Sequence, residues 1–329
     1  MNSRPLVIDT DGGIDDAAAL FFAATSEFVD LAGVTVVGGN VSIDVATRSV
    51  CTVLEAAGRT DVRVAIGEHT PAGPVPALRP ADFIHGLDGL GNTGRSPQAS
   101  WTIEPDATAL IHDVCAERPG EVSLVTLGPL TNVAIALRSQ PKLAALVDRL
   151  VVMGGTIAVQ GNALPAAEAN IAHDPIAASE VVIAAWRQPP LLVGLDVTHQ
   201  ATFTASEVAL LAEERTAAAS FLHEPLDFYR RSAGTFCAPG EFPCHDLLAT
   251  MAAVLPLVDG PVLPLAVQTA PGPAWGATVA DRRVPFFERA GAGSVQSTVS
   301  EFARWQIGLD VDVDAFRRAV RSMFGDDQR

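Results

Sequence analysis

Short apolar runs alternate with longer stretches of helical periodicity along most of this chain. The runs at 6–8, 31–37, 62–66, 122–126, 150–153 and 191–193 are rich in Val, Ile and Leu. Runs of that length and composition read as strands covered on both faces. Between them, 15–25, 44–57, 106–117, 130–140 and 176–185 read as helices. Asp44, Asp106 and Asp174-Pro175 supply start signals for three of them. The alternation predicts right-handed crossovers and an α/β fold: an open, mainly parallel, Rossmann-like sheet flanked by helices. After Thr204 the pattern turns helical through Phe228-Tyr229-Arg230-Arg231. Pro239 and Gly240 break it before Cys244-His245-Asp246-Leu247. A last strand at 262–268 and a helix at about 313–323 complete the pattern. No composition shift marks a linker and no repeat appears, so residues 1–329 are expected to form a single domain.

One stretch departs from the alternation. Residues 70–100 are rich in Pro and Gly and contain His85-Gly86-Leu87-Asp88-Gly89-Leu90-Gly91-Asn92. A connection of that length points to a functional loop.

Composition narrows the setting. Hydrophobic residues make up 48% of 329, enough for a large core, and the net charge is −16. An acidic surface repels phosphate backbones and anionic headgroups, so neither nucleic acid nor membrane is an expected partner. Cys51, Cys115, Cys237 and Cys244 are scattered without a CxxC pair, which suits free thiols in a reducing compartment. The chain enters its first strand at once, leaving no room for a signal peptide, and the apolar run at 17–24 is too short to span a bilayer. The expectation is a soluble cytoplasmic protein.

The candidate chemistry sits where apolar runs end. The first run leads into Asp9-Thr10-Asp11-Gly12-Gly13-Ile14-Asp15-Asp16. One such Asp would be an ordinary turn or helix-start residue. Four carboxylates this close repel one another unless something positive sits among them. A hard divalent cation bound by oxygen fills that role, at a strand end where α/β sheets bind ligands. Gly38-Gly39-Asn40, Leu127-Gly128-Pro129-Leu130-Thr131-Asn132, and Met153-Gly154-Gly155 with Asn162, Glu168 and Asn170 follow other runs. In a parallel sheet these clusters converge on one edge, and Asn and Glu there suit sugar hydroxyls. His245-Asp246 would place a proton donor beside a metal ligand, unless His245 merely lines the start of a helix. His85 is placed to close over a ligand, whereas His69, His112, His173, His199 and His223 read as surface or structural residues.

Taken in order, these blocks resemble the inosine–uridine-preferring nucleoside hydrolases. The resemblance also rests on Ala167-Glu168-Ala169-Asn170, Asp174-Pro175 and Val193-Gly194-Leu195-Asp196-Val197-Thr198. It implies the nucleoside hydrolase fold, with Ca²⁺ held by Asp11, Asp16, Asp246 and the backbone carbonyl of Leu127. It implies a small-molecule ribonucleoside substrate, cleaved to ribose and free base. By the same resemblance Asp11 takes the proton of the attacking water. Asp15 and Asn40 hold the ribose hydroxyls, Asn162, Glu168 and Asn170 hold the 5′ side, and His245 protonates the leaving base. His85, Met153, Tyr229 and Asp246 complete the implied substrate contacts. The presence of His245 implies a base-unspecific or pyrimidine- and inosine-tolerant enzyme, since purine-selective relatives rely on aromatic stacking. Trp275 is the one tryptophan retained as a candidate for that role. Homodimers or homotetramers are also implied.

Two positions depart from the family pattern. Ala169 stands where relatives carry Phe, and 232–242 matches nothing in the pattern. Two other readings compete with the hydrolase. One is a haloacid-dehalogenase-like phosphatase with Asp9 as nucleophile. That family needs a lysine near the phosphate, and the single lysine, Lys142, is poorly placed for it. The other is a non-catalytic Ca²⁺-dependent nucleoside- or sugar-binding protein, which would have no use for His245.

Overall fold

Leu6, Val7 and Ile8 are completely buried, as a strand covered on both faces requires. They belong to β1 (Arg4–Thr10), in a computed structural model that describes residues 3–68, 78–214, 216–233, 240–283 and 302–325. The chain then forms β2 (Val29–Val36), β3 (Val64–Ile66) and β4 (Ile103–Glu104). β5 (Ser123–Thr126), β6 (Arg149–Met153) and β7 (Leu191–Val193) follow. β8 (Thr202–Thr204) pairs with β9 (Glu241–Pro243), and β10 (Val258–Asp259) with β14 (Asp310–Val311). β11 (Val262–Val267), β12 (Thr278–Ala280) and β13 (Ala303–Ile307) complete the set.

The main sheet has ten strands in the order β12-β11-β13-β7-β6-β5-β1-β2-β3-β4. Pairing is parallel from β13 to β4, and antiparallel where β11 meets β12 and β13. The expected mainly parallel α/β sheet is therefore present, with an antiparallel margin. From β1 the chain steps outward through β2, β3 and β4, then returns to β5 on the other side of β1. The carboxyl ends of β1 and β5 thus flank a topological switch point, the crevice where such sheets bind ligands.

Side chains alternate across β1, and the core divides accordingly. Leu6 and Ile8 pack with helices Ile14–Thr25, Ile43–Ala56 and His245–Ala252 on one face. Val7 packs with helices Ala107–Glu117, Thr131–Ser139 and Pro175–Ile183 on the other. Asp106 caps its helix through Thr108 N and Ala109 N, and Asp174 caps the helix that Pro175 begins. Ser42, not Asp44, precedes helix Ile43–Ala56, so that start signal lies two residues late. Among the described residues no helix is long and apolar enough to cross a membrane.

Asn132, read from sequence as a candidate sugar contact, is instead completely buried. Its Nδ2 donates to Asp9 Oδ1 (2.8 Å) and to the Val36 carbonyl (3.1 Å), while its Oδ1 accepts from Glu68 N (2.9 Å). One amide thereby ties β1, β2 and the segment after β3 together. Thr131 likewise turns away from ligand and bonds Asp174 Oδ2 at 2.9 Å. Asn132→Ala removes all three bonds, but Thr35 still serves Asp9 Oδ1 and Gly67 N still serves the Val36 carbonyl, so Glu68 N alone loses its partner. The expected cost is about 1–3 kcal/mol of stability, read by urea denaturation. Unchanged stability would show that these bonds do not hold the strands together.

Candidate active site

The four opening carboxylates divide by the direction their backbone gives them. Asp9, still within β1, points into the protein and accepts from Thr35 Oγ1 (2.6 Å) and Asn132 Nδ2 (2.8 Å). It is completely buried with Oδ1 engaged by two donors from the sheet, which argues against the reading of Asp9 as a phosphatase nucleophile. Past Thr10 the chain turns through Gly12, at φ +75°, and enters helix Ile14–Thr25. That turn puts Asp15 and Asp16 in the first helical turn, where the helix dipole favours negative charge. Asp16 accepts from Gly13 N (2.8 Å) and from the Thr10 hydroxyl. Asn40, following β2, holds Asp11 with its backbone N and its Nδ2, both at 2.8 Å. The same Nδ2 lies 3.5 Å from Asp16 Oδ2.

Oxygens of Asp15, Asp16 and Asp246 all lie within 4.8 Å of one another, and all three residues are buried. Asp11 stands beside this group, linked to it through Asn40. Among the described residues no lysine or arginine pairs with any of them; the near cation former is His85, with Nδ1 3.8 Å from Asp15 Oδ1. Burial, then the Asp16 charge, raises the Asp15 carboxyl to about 7. The same two causes raise Asp11 well above the usual carboxylate range. Asp246 is raised by burial and by Asp15, Asp16 and Asp11. Asp15 Oδ1 is sealed from water without a hydrogen-bond donor. Crowded carboxylate oxygens, one of them unpartnered, form a donor set that fits a hard cation such as Ca²⁺.

Above the carboxylates opens a cavity of about 290 Å³. Its wall includes Asn40, His85, Leu127, Met153, Asn162, Glu168, Asn170, Tyr229, His245 and Asp246. Residues scattered from 40 to 246 in sequence therefore meet at one place. The Tyr229 hydroxyl donates to Asp15 Oδ2 at 3.3 Å, and its ring stacks on His85 with centroids 5.4 Å apart. His85 Nδ1 accepts from Ile14 N at 3.1 Å, and burial pushes its pKa down to about 4. His245 is lowered to about 3, first by burial and then by His199 and His85. Burial thus disfavours the charged form of both rings.

Also on the wall, Glu168 caps helix Ala169–His173, its oxygens accepting from Asn170 N, Ile171 N and Gly155 N. Asn170 Nδ2 donates to the Leu127 carbonyl (2.7 Å) and the Met153 carbonyl (3.2 Å). Asn162 Oδ1 accepts from Ala169 N at 2.9 Å.

Some wall residues went unread in the sequence. His173 and His199 line the cavity, contrary to a purely surface or structural role. His199 comes within 5.8 Å of the His245 ring, centroid to centroid. A histidine just after a short helix carries no periodic signal, which is why His199 read as surface or structural. Phe83 and Ile84 also reach the wall, from the short helix Asp82–His85 inside the long Pro/Gly-rich connection. Trp275 is buried and does not line the cavity. His69, Cys237 and most of 232–242 lie outside the described residues.

Comparison with known proteins defines the class. The family model described as inosine-uridine preferring nucleoside hydrolase matches residues 6–318. The chain belongs to this family, and so to the N-glycosidases that hydrolyse nucleosides. It is 38% identical over 317 residues, 96% of each chain, to a probable uridine nucleosidase of Arabidopsis thaliana. It is 34% identical over 324 residues, 98% of each chain, to a non-specific ribonucleoside hydrolase of Salmonella agona. Among solved structures, a plant nucleoside hydrolase superposes with TM-score 0.86 at 31% identity, covering 98% of this chain and 99% of its own. A purine-preferring ribonucleoside hydrolase from Gardnerella vaginalis gives 0.84 at 30% identity, covering 98% of both.

Gly13 shows how tightly the site is drawn. A Cβ there would come within 2.6 Å of His85 Nδ1 and 2.9 Å of both Asn40 Nδ2 and Asp16 Oδ2. Gly13→Ala is expected to cut kcat/KM for nucleosides by about 10²-fold, because misplacement on the ångström scale costs that much. Circular dichroism should stay unchanged; near-normal turnover would show that the site absorbs the methyl group.

Proposed function

We propose that this nucleoside hydrolase is Ca²⁺-dependent and accepts ribonucleosides broadly, with uridine and inosine among its substrates. The observation that carries the reading is the buried trio Asp15, Asp16 and Asp246, which no lysine or arginine pairs with among the described residues, beside a cavity whose wall includes Asn, Glu and His. Asp11, Asp16, Asp246 and the Leu127 carbonyl are the proposed Ca²⁺ ligands. Asp15 is close enough to Asp16 and Asp246 to add to the charge that holds the cation. A bound Ca²⁺ supplies charge that acidifies water and polarises hydroxyl groups.

The chain's own residues account for the remaining chemistry. The C1′–N bond breaks through an oxocarbenium-like state, as in other glycosidic cleavages. Asp11, fixed by two bonds from Asn40, is the proposed general base toward the attacking water. Asp15 and Asn40 face the ribose hydroxyls, and Asn162, Glu168 and Asn170 face the 5′ side. Their bonds to the backbone pre-position them, so little freedom is lost on binding. His85, Met153 and Tyr229 complete the sugar and base contacts. His245 donates a hydrogen bond to the departing base, where negative charge develops.

Breadth toward the base is supported by the wall and by the relatives. His199 and His245 offer polar contacts, and no tryptophan is found on the wall among the described residues. The relatives named above include a probable uridine nucleosidase and a non-specific ribonucleoside hydrolase. Buried free Cys51, Cys115 and Cys244 support a cytoplasmic setting. Assembly into homodimers or homotetramers rests on the family resemblance alone.

Two variants test the roles. Asp11→Asn is expected to lower kcat by about 10²–10⁴-fold with cooperative thermal unfolding retained. Retained turnover would dismiss Asp11 as the base. His245→Ala should slow inosine and uridine by about 10²-fold or more, and a 4-nitrophenyl riboside much less, because nitrophenolate leaves without help. Equal losses on both kinds of substrate would remove His245 from the leaving-group role.

A further inference from the structure

A neutral imidazole carries one ring proton and can place it on either nitrogen. Only a proton on the nitrogen that faces the cavity serves a departing base. His245 Nδ1 lies 2.7 Å from Thr198 Oγ1. His245 Nε2 has no protein partner among the described residues and is not sealed from solvent, and the residue forms part of the cavity wall.

Hydrogen-bond accounting at Thr198 decides between the two tautomers. Thr198 is completely buried at the end of helix Leu195–Thr198, its backbone N bonded to the Gly194 carbonyl at 3.1 Å. Its hydroxyl proton needs an acceptor, and among the described residues His245 Nδ1 is the partner it has. Were the ring proton on Nδ1, the hydroxyl would have to accept it. The threonine proton would then be left without an acceptor in a dry interior. With the hydroxyl donating instead, both the Thr198 proton and His245 Nδ1 are satisfied, and the ring proton sits on Nε2.

Neighbouring histidines obey the same logic. Ile14 N–H can only donate, so His85 Nδ1 accepts, at 3.1 Å, and its proton sits on Nε2. The Ala169 carbonyl can only accept, so His173 Nδ1 donates, at 2.9 Å, and leaves Nε2 bare.

We propose that the Thr198 hydroxyl donates to His245 Nδ1 and fixes His245 as the tautomer protonated on Nε2, which makes Thr198 a positioning residue for departure of the base. The catalytic consequence rests on the reading of His245 as donor to the leaving group; the tautomer itself does not. The bond joins the segment after β7 to the start of helix His245–Ala252, so it also sets the ring's orientation.

The test is ring ¹⁵N spectroscopy of Ca²⁺-loaded protein carrying ¹⁵N-labelled histidine, with His245 assigned by its loss in His245→Asn. Wild type should show the proton on Nε2. Thr198→Ser should keep that pattern, and Thr198→Val should lose it. In parallel, Thr198→Val should lower kcat on uridine by about 10–100-fold with KM little changed. Thr198→Ser should recover most of that loss, and the 4-nitrophenyl riboside should be affected far less. A wild-type proton on Nδ1, or an unchanged Nε2 pattern in Thr198→Val, overturns the proposal. Equal losses on both substrates in His245→Ala overturn the donor reading and its consequence, while the spectra still decide the tautomer.

Discussion

Three carboxylates gathered in a dry place repel one another, and the rest of the site is arranged around that repulsion. Asp15, Asp16 and Asp246 have oxygens within 4.8 Å of one another. At an effective dielectric of about 20, each ionised pair at such a distance costs about 3 kcal/mol. Two helices, Ile14–Thr25 and His245–Ala252, start beside these groups and point their positive ends at them. A helix terminus contributes about 0.3–1 kcal/mol, occasionally about 2, so the dipoles do not offset three ionised pairs. The group must either hold protons, as its raised pKa values express, or hold a cation. A nucleoside hydrolase would gain from the second choice, because a bound cation would both neutralise the carboxylates and polarise water and hydroxyl groups.

The scaffold keeps the group from relaxing apart. Asp16 is tied to Thr10 and Gly13, Asp11 to Asn40, and Asp15 to Tyr229. Asp9, Thr35 and Asn132 brace the strand ends beneath. On the cavity wall Glu168, Asn162 and Asn170 are each engaged with backbone groups. The polar residues of the cavity are held in place before any ligand arrives, which is how a site positions a sugar without a large ordering cost.

Much of this was legible in the residues because the relevant signals are local. An apolar run ending in four Asp announces both a strand and a charge problem, and parallel alternation brings later strand ends to the same edge. What stayed hidden was of two kinds. The two-residue β4 is too short to show a period. β13 does alternate, with Trp305 and Ile307 buried and Arg304 exposed, but it lies far from the regular strand–helix stretch. Direction of side chains was the other gap. Sequence shows that Asp9 and Asp11, or Thr131 and Asn132, follow strands; it does not show that Asp9, Thr131 and Asn132 turn inward to hold the sheet. His199 and His173 were set aside because an isolated histidine has no pattern, and only the folded chain brings them to the wall.

The most direct test is release of reducing sugar from inosine, adenosine, guanosine, uridine and cytidine. The protein would be kept in a calcium chelator from purification onward and assayed before and after Ca²⁺ is returned. This account predicts no release from the stripped protein and recovery with Ca²⁺ on several bases, uridine and inosine among them. Turnover indifferent to the chelator would contradict the central role given to the carboxylate group.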